Sequence, residues 1–134
     1  MKPDLTDMIY VSGPMSGIED LNFPLFNRVT AALRARGYSA LNPVETEGNT
    51  PCSWLRCIAK DLISFEEHNV TAICLLPGWW KSYGAWVEVI AGRKMKYRIC
   101  RVQSLLPREE WGTPRLWARV GVWVWGKLTE ANYD

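Results

Sequence analysis

Residues 70–76 read Val-Thr-Ala-Ile-Cys-Leu-Leu, and this stretch decides the fold. It is almost continuously apolar, and it lies between Asn69 and Pro77, two residue types that favour turns. A strand with apolar residues at consecutive positions is covered on both faces, as in the middle of a parallel sheet. The stretch therefore predicts a central parallel strand.

The segments on either side of this strand alternate between strand and helix patterns. The predicted strands are residues 8–12, 38–41, 70–76 and 97–102. The predicted helices run from an Asn22 cap to Gly37, from Thr50-Pro51 to about His68, and over residues 84–94. The order β-α-β-α-β-α-β predicts an α/β fold, in which a parallel sheet is flanked by helices. Ligands of such sheets bind beyond the carboxyl ends of the strands.

The chain is interpreted as one domain over residues 1–134, with a core at about 8–102 and a C-terminal extension at 103–134. Its 134 residues and 48% hydrophobic content suit a single core. Within the extension, residues 116–125 alternate in a strand pattern that puts Trp117, Trp123 and Trp125 on one face. Such a face would be a large apolar patch on a monomer, so we expect a covered strand or a homo-oligomer, a dimer or higher.

Composition and charge exclude several classes of function. A net charge of +2 is too balanced to predict a nucleic acid polymer as a partner. The four cysteines fit no zinc spacing, and no apolar stretch approaches the roughly 20 residues that span a bilayer. The start of the chain is polar and does not resemble a signal peptide. We expect a cytoplasmic protein with reduced thiols and no membrane partner.

Two carboxylates lie in apolar surroundings. Glu88 is one turn into the third helix, and Asp61 shares a helical stripe with Trp54, Ile58 and Phe65. Each has an ordinary explanation, since acids favour the first turn of a helix and charges often occupy the edge of an apolar stripe. The functional alternative is a pair of carboxyl groups that face each other across a sugar, as glycosidic bond cleavage requires.

Ser82 and the glycines after the first strand also have two interpretations. Ser82 is a helix cap, or a hydroxyl beside the free N–H groups of a helix start, which is an anion site. Gly13 and Gly17 serve a tight turn, or they let the backbone approach a flat ligand. The single histidine, His68, is interpreted as a partner of the helix dipole. Neither a P-loop nor a dinucleotide-binding glycine motif is present.

The ordered set of motifs resembles the nucleoside 2-deoxyribosyltransferase superfamily, over about residues 8–102. It is most similar to the short phage and bacterial branch known as the domain of unknown function DUF4406. The matching pieces, in chain order, are Met-Ile-Tyr-Val-Ser-Gly-Pro-Met-Ser-Gly (8–17), Asn22-Phe23, Leu-Asn-Pro (41–43), Trp54, Asp61, Leu-Pro-Gly-Trp (76–79) and Ser-x-Gly-x-x-x-Glu (82–88).

This resemblance implies a doubly wound, flavodoxin-like or Rossmann-like sheet of four to five mostly parallel strands. It implies that Glu88 is the nucleophile that attacks the anomeric carbon, that Tyr10 orients Glu88, and that Asp61 assists departure of the base. It implies no metal and no cofactor. The expected substrate-binding residues are Gly13, Pro14, Met15, Gly17, Asn22, Pro77, Gly78, Trp79, Ser82 and Gly84.

Position 82 bears on the substrate. Relatives that act on free nucleosides commonly carry Asp there, whereas relatives that hydrolyse deoxynucleoside 5′-monophosphates carry Ser. A hydroxyl at a helix start accommodates a phosphate that a carboxylate would repel. We expect Ser82 and the N–H groups of Gly84 and Ala85 to hold a 5′-phosphate. Position 16 is Ser where some of these hydrolases have Arg. The family often completes its site with residues of a neighbouring subunit.

The sequence therefore predicts an enzyme that cleaves or transfers the N-glycosidic bond of a nucleotide or nucleoside, with Glu88, Asp61 and Tyr10 as catalytic residues. Trp79 and Trp80 are expected to form a lid or to stack on the base. Two alternatives remain open. One is a protein that binds and sequesters or senses a nucleotide without turnover. The other is an interaction protein that associates through its Trp-rich extension.

Overall fold

The computed structural model describes residues 2–46 and 53–112. The strands are β1 (Met8–Ser12), β2 (Ser39–Leu41), β3 (Ala72–Leu75) and β4 (Arg98–Arg101). The helices are α1 (Phe23–Ala35), α2 (Pro43–Thr46), α3 (Trp54–Glu67), α4 (Tyr83–Lys94), α5 (Val102–Leu105) and α6 (Arg108–Trp111). Short 3₁₀ turns cover Glu19–Asn22 and Trp79–Lys81.

The four strands form one parallel sheet in the order β2-β1-β3-β4, which confirms the predicted doubly wound α/β class. From β1 the chain moves outward to β2, and it then returns to the other side of β1 to place β3 and β4. Loops that leave the carboxyl ends of β1 and β3 therefore diverge to opposite sides, which opens a crevice between them. This crevice is where the fold places a ligand.

Alternation along the strands divides the core into two layers. Ile9 and Val11 face α1, α5 and α6, whereas Tyr10 faces the layer that contains Phe65 of α3 and Val89 of α4. Successive side chains of a strand point to opposite faces, so both layers are built from the same short strands. The predicted central strand is buried at all four of its positions, as its continuous apolar pattern required.

Of the three predicted helix starts, one agrees with the structure and two differ from it. Ser82 caps α4, and its side chain accepts a hydrogen bond from the Ala85 N–H. Asn22 precedes α1, but its side chain does not cap the helix, because its Nδ2 donates to the carbonyl of Pro14 at 2.9 Å. Helix α3 begins at Trp54 with Ser53 as its cap, rather than at Thr50-Pro51, which lies outside the described residues.

Three further predictions need correction or lie outside the described residues. The strands around residues 38–41, 70–76 and 97–102 are shorter than predicted, and Val102 already begins α5. Cys57 is disulfide-bonded, so the expectation of reduced thiols holds only for Cys74 and Cys100 within the described part of the chain. The predicted strand at 116–125 lies beyond that part. Every helix of residues 2–46 and 53–112 is too short or too polar to cross a bilayer.

Candidate functional site

A cleft of about 850 Å³ opens at the carboxyl ends of β1 and β3. Its volume lies within the range of small-molecule sites, and its position is the crevice that the strand order creates. The loop after β1 and the first 3₁₀ turn form one wall, and the loop after β3 with the start of α4 forms the other. Seven of the predicted substrate-binding residues line it, namely Pro14, Met15, Gly17, Asn22, Pro77, Gly78 and Ser82.

Gly13 and Gly84, which were also predicted to bind substrate, are not among the residues that line the cleft. A Cβ at Gly13 would lie 2.7 Å from the Cβ of Leu76, and one at Gly84 would lie 2.8 Å from the Cδ1 of Ile58. Both distances are far below van der Waals contact. These two glycines therefore allow neighbouring segments of the chain to pack closely, a role that accounts for them without a ligand.

Trp79 also lies away from the cleft. Its ring is half-buried and packs against Trp86, with ring centroids 4.7 Å apart, and against Trp80, with centroids 6.5 Å apart. It adjoins the core layer of Tyr10 and Val89. Trp79 thus anchors the loop after β3 to α4, and neither Trp79 nor Trp80 lines the cleft as a stacking platform for a base would.

Glu88 is the centre of a buried hydrogen-bonded group beneath this region. Its Oε2 accepts a hydrogen bond from the Tyr10 hydroxyl at 2.5 Å, and its Oε1 accepts one from the Ser12 hydroxyl at 2.7 Å. Only 4% of Glu88 is exposed. Burial of a carboxylate is costly unless hydrogen bonds replace its hydration, and two hydroxyl donors supply that compensation here.

The geometry of β1 explains why these two donors reach one carboxylate. Tyr10 and Ser12 are two residues apart on a strand, so their side chains point to the same face of the sheet. Helix α4 crosses that face, and Glu88 follows Gly84 by one turn. The structure thus brings Glu88 and Tyr10 together, as the resemblance implied. It adds Ser12, which was not predicted although its spacing from Tyr10 could have revealed it.

Asp61 lies on the same side of the sheet as Glu88. It is 9% exposed, and it belongs to the face of α3 that buries Ile58 and Phe65. Helices α3 and α4 pack against each other, so both acidic side chains are buried in the layer between these helices and the sheet. Neither carboxylate is among the residues that line the cleft.

Part of the cleft wall has a backbone that the sequence did not predict. Asp20, Leu21 and Asn22 have φ angles of +52°, +53° and +62°, so three consecutive non-glycine residues are left-handed. Such conformations are unfavourable for residues with a Cβ and persist where surrounding contacts hold them. The amide of Asn22 supplies one such contact through its bond to Pro14, and this bond ties the two parts of the wall together.

Charged and aromatic residues of the cleft were also missed. Lys81 lies beside Ser82 on one wall, and its adjacency in the sequence was the available signal for a cationic group at this position. Glu19 and Asp20 lie on the other wall, so the two walls carry opposite charge. The remaining lining residues that the sequence interpretation left out of its binding set are Ser16, Ile18, Pro24, Leu25, Trp54 and Tyr83.

The start of α4 differs in one detail from the expected anion site. The N–H of Ala85 donates to the Ser82 hydroxyl at 3.2 Å. This N–H is therefore already used by the helix cap, and a phosphate would have to compete with Ser82 for it. The N–H groups of Tyr83 and Gly84 belong to the first turn, where a helix supplies no partner for them. Their residues directly follow Lys81 and Ser82 in the chain. In the described residues, no group of three or more His, Cys, Asp or Glu side chains is arranged to hold a metal ion.

A comparison with protein families matches residues 7–101 to the family described as "Domain of unknown function (DUF4406)". This range spans β1 to β4 and so includes Tyr10, Ser12, Asp61, Glu88 and both walls of the cleft. A comparison with curated proteins finds no match to the chain.

Proposed function

This chain belongs to the DUF4406 family, and from that premise we propose that it cleaves or transfers the N-glycosidic bond of a (deoxy)nucleoside 5′-monophosphate. The family description assigns no activity, so the proposal rests on the resemblance to nucleoside 2-deoxyribosyltransferases and on the geometry of this chain. The nucleophile of the proposed reaction is Glu88.

One observation carries the proposal: both oxygens of a buried carboxylate are held by hydroxyl groups at the carboxyl end of β1. Tyr10 and Ser12 fix the direction in which the Glu88 lone pairs point. A preoriented acidic group in a poorly solvated position next to a cleft is the arrangement that enzymes use for covalent catalysis.

In the proposed reaction a Glu88 oxygen attacks C1′ of the sugar through an oxocarbenium-like transition state. The bond from C1′ to the base nitrogen breaks, and its electron pair leaves with the base, which takes a proton with assistance from Asp61. The sugar is then an ester of Glu88. Attack on C1′ by water gives the free sugar phosphate, and attack by another base gives a new nucleotide. Either acceptor restores the Glu88 carboxylate.

The cleft supports a monophosphate as the substrate. Lys81 supplies a positive charge, and Ser82 supplies a hydroxyl at the start of α4, whose dipole favours an anion. Met15, Trp54 and the prolines of the two loops supply apolar surface for a sugar and a base. The acidic wall formed by Glu19 and Asp20 lies opposite, where a phosphate would be repelled.

The proposal makes a geometric demand, because Glu88 is 4% exposed and is not among the residues that line the cleft. A productive complex must bring C1′ to within about 3.5 Å of a Glu88 oxygen. A crystal structure of Glu88→Gln with a deoxynucleoside monophosphate measures this distance. A nucleotide that sits in the cleft with C1′ more than about 6 Å from position 88 would contradict the role of Glu88 as nucleophile.

Activity is tested by incubating the full chain with the common deoxynucleoside and ribonucleoside monophosphates. Chromatography detects free base and sugar phosphate, and addition of a second base detects transfer. We expect release of base by the wild type and not by Glu88→Gln, which keeps the shape of the side chain. Release that persists in Glu88→Gln would remove Glu88 from the mechanism.

A second candidate is nucleotide binding without turnover, and the burial of Glu88 is the observation that favours it. A carboxylate that is 4% exposed and does not line the cleft is poorly placed to attack a ligand bound there. Calorimetry distinguishes the two functions. Saturable binding of a monophosphate without product after prolonged incubation would support sequestration or sensing and would contradict catalysis.

We further propose that the protein is a homo-oligomer. Helices α3 and α4 present an apolar groove lined by Trp54, Tyr83, Trp86, Val87 and Ile90. Trp54 and Tyr83 also line the cleft, so a second copy seated in the groove would lie at the rim of the site. Sedimentation velocity tests this, with Trp86→Glu expected to shift an oligomer towards monomer. A monomeric wild type at micromolar concentration would contradict the proposal.

A further inference from the structure

Two free cysteines face each other across neighbouring strands of the sheet. Cys74 of β3 and Cys100 of β4 are direct partners in the parallel register. Adjacent strands lie about 4.8 Å apart, and a disulfide requires Cα atoms about 4.4–6.8 Å apart. Both side chains belong to the layer that packs on α1, so they lie on one face of the sheet. The backbone therefore already satisfies the spacing of a disulfide.

The two thiols differ in their surroundings. Cys74 is fully buried, whereas Cys100 is half-buried on β4, the outermost strand on that side of the sheet among residues 2–46 and 53–112. The neighbouring Cys74 thiol lowers the pKa of Cys100 against the opposing effect of burial. The Cys100 thiol and burial together raise the pKa of Cys74 well above its ordinary value. The accessible sulfur is thus the one that is stabilised as a thiolate.

We propose that Cys74 and Cys100 form a reversible thiol pair, in which a peroxide oxidises Cys100 and Cys74 then closes an intramolecular disulfide between β3 and β4. Reactive cysteines of this kind combine access, thiolate character and a neighbouring resolving thiol. The pair lies on the opposite side of the sheet from Glu88, and the inference does not depend on the proposed glycosidase activity.

A hydroperoxide is the oxidant, and it takes two electrons from the thiol pair. The Cys100 thiolate attacks one peroxide oxygen, the O–O bond breaks, and the departing hydroxide takes a proton to become water. This leaves a sulfenic acid on Cys100. The Cys74 sulfur then attacks the Cys100 sulfur, the S–O bond breaks, and hydroxide leaves with the Cys74 proton as a second water. An external dithiol reverses the reaction by exchange.

The disulfide would close the segment 75–99, which contains the loop after β3 and all of α4. A cross-link that closes a loop restricts the unfolded chain and raises the melting temperature. We expect the oxidised protein to melt several degrees above the reduced protein, about 5 °C for a domain of this size. Treatment with dithiothreitol should abolish this difference, and Cys100→Ser, which keeps the disulfide of Cys57, should show no comparable rise on oxidation.

The direct test is peptide mapping of the reduced full chain after exposure to hydrogen peroxide. Remaining thiols are alkylated under denaturing conditions, and the chain is cut with trypsin. We expect a linked fragment that joins residues 61–81 to residues 99–101, and its loss after reduction. Peroxide-treated protein in which both cysteines are still alkylated would overturn the proposal, as would linkage of either cysteine to another chain.

Single substitutions assign the order of the two thiols. With Cys100→Ser, the buried Cys74 should stay a thiol under the same exposure. With Cys74→Ser, Cys100 should proceed to the sulfinic acid, a gain of about 32 Da, because no resolving thiol remains. Cys74→Ala serves the same purpose if a buried hydroxyl impairs folding. Oxidation of Cys74 in the Cys100→Ser protein at the wild-type rate would contradict the assignment of Cys100 as the thiol that peroxide attacks.

Discussion

The two ends of the sheet each hold a buried acid, but they hold it with different partners. At the amino end, the Asp7 carboxylate accepts hydrogen bonds from the Thr71 hydroxyl, the Arg98 guanidinium and the Asp4 N–H, each at 2.8 Å. At the carboxyl end, the Glu88 carboxylate accepts hydrogen bonds from the Tyr10 and Ser12 hydroxyls. Asp7 and Glu88 are 5% and 4% exposed, so burial does not distinguish them.

The partners indicate what each acid does. The bonds of Asp7 join the segment before β1 to Thr71, just before β3, and to Arg98 of β4, so they fasten separate parts of the chain together. Burial acts to raise the pKa of Asp7, but the bonds from Asp4, Thr71 and Arg98 together lower it. The two hydroxyl donors of Glu88 come from one short strand and aim its oxygens beside a cleft. These contacts account for Asp7 as a stabilising acid, and they are consistent with the proposal that Glu88 is the reactive one.

The largest expected effect comes from exchanging each acid for its amide. Glu88→Gln should lower the rate of base release by at least about 10³-fold, since an amide is a poor nucleophile at C1′. Asp7→Asn should leave the rate per folded molecule within about twofold, but lower the free energy of unfolding by about 1–2 kcal/mol, because it weakens a buried charge-assisted network. Steady-state kinetics and urea denaturation measure the two quantities.

The comparison fails if the two substitutions behave alike. Circular dichroism confirms that both variants are folded before the rates are compared. A Glu88→Gln protein that loses stability as Asp7→Asn does and keeps its activity would make Glu88 a second structural acid. Loss of activity in a folded Asp7→Asn protein would mean that the amino end of the sheet controls the site.

The donors to Glu88 give the next largest effect. Tyr10→Phe should lower kcat by about 10–100-fold, because the carboxylate loses one of the bonds that orient it, and a misdirected nucleophile reaches C1′ less often. Ser12→Ala should have a smaller effect of the same kind. KM for the monophosphate should change little in both variants, since neither residue lines the cleft. A rise in KM with an unchanged kcat would show that these hydroxyls bind substrate instead.

Much of the fold could be predicted because the sequence of one strand, β3, is continuously apolar. The apolar stretch around Ile73 and Cys74 has no room for a solvent-facing position, so it had to be central, and the alternating helices then required parallel neighbours. The ends of the elements were less predictable. Val102 begins α5 and is fully buried in the core cluster that includes α1, and no local pattern in the sequence records that burial.

The candidate site likewise has features that could be predicted from the sequence and features that could not. The pairing of Tyr10 with Glu88 followed from the resemblance, and Ser12 follows from strand geometry once Tyr10 is accepted. The left-handed backbone of Asp20, Leu21 and Asn22 could not be predicted, because Leu seldom adopts it and residues with a Cβ rarely do so three in succession. Likewise Gly13 resembles a ligand-contacting glycine in sequence, yet its neighbour in space is Leu76.

The acid dependence of stability sharpens the assignment of Asp7. Since the pKa of Asp7 is lowered in the folded state, its contribution is present above the unfolded value of 3.8 and is lost as the pH falls through the lower folded value. Arg98→Gln removes one cause of that shift. The variant should melt about 3 °C below the wild type at pH 6, and the difference should shrink below about pH 4. A difference that stays constant down to pH 2 would mean that Arg98 acts by packing.

The smallest expected effect separates capping from ligand binding at the start of α4. Ser82→Asp keeps a cap that accepts from the Ala85 N–H, so stability should stay within about 0.5 kcal/mol, whereas Ser82→Ala should lose about 1 kcal/mol. Only Asp places a negative charge where we propose the phosphate, so Ser82→Asp should raise KM for a monophosphate about tenfold and leave KM for the matching nucleoside unchanged. Equal changes for both substrates would place the phosphate elsewhere. The proposal for Glu88 would then still stand, but Ser82 would belong with Asp7 among the residues that stabilise the fold.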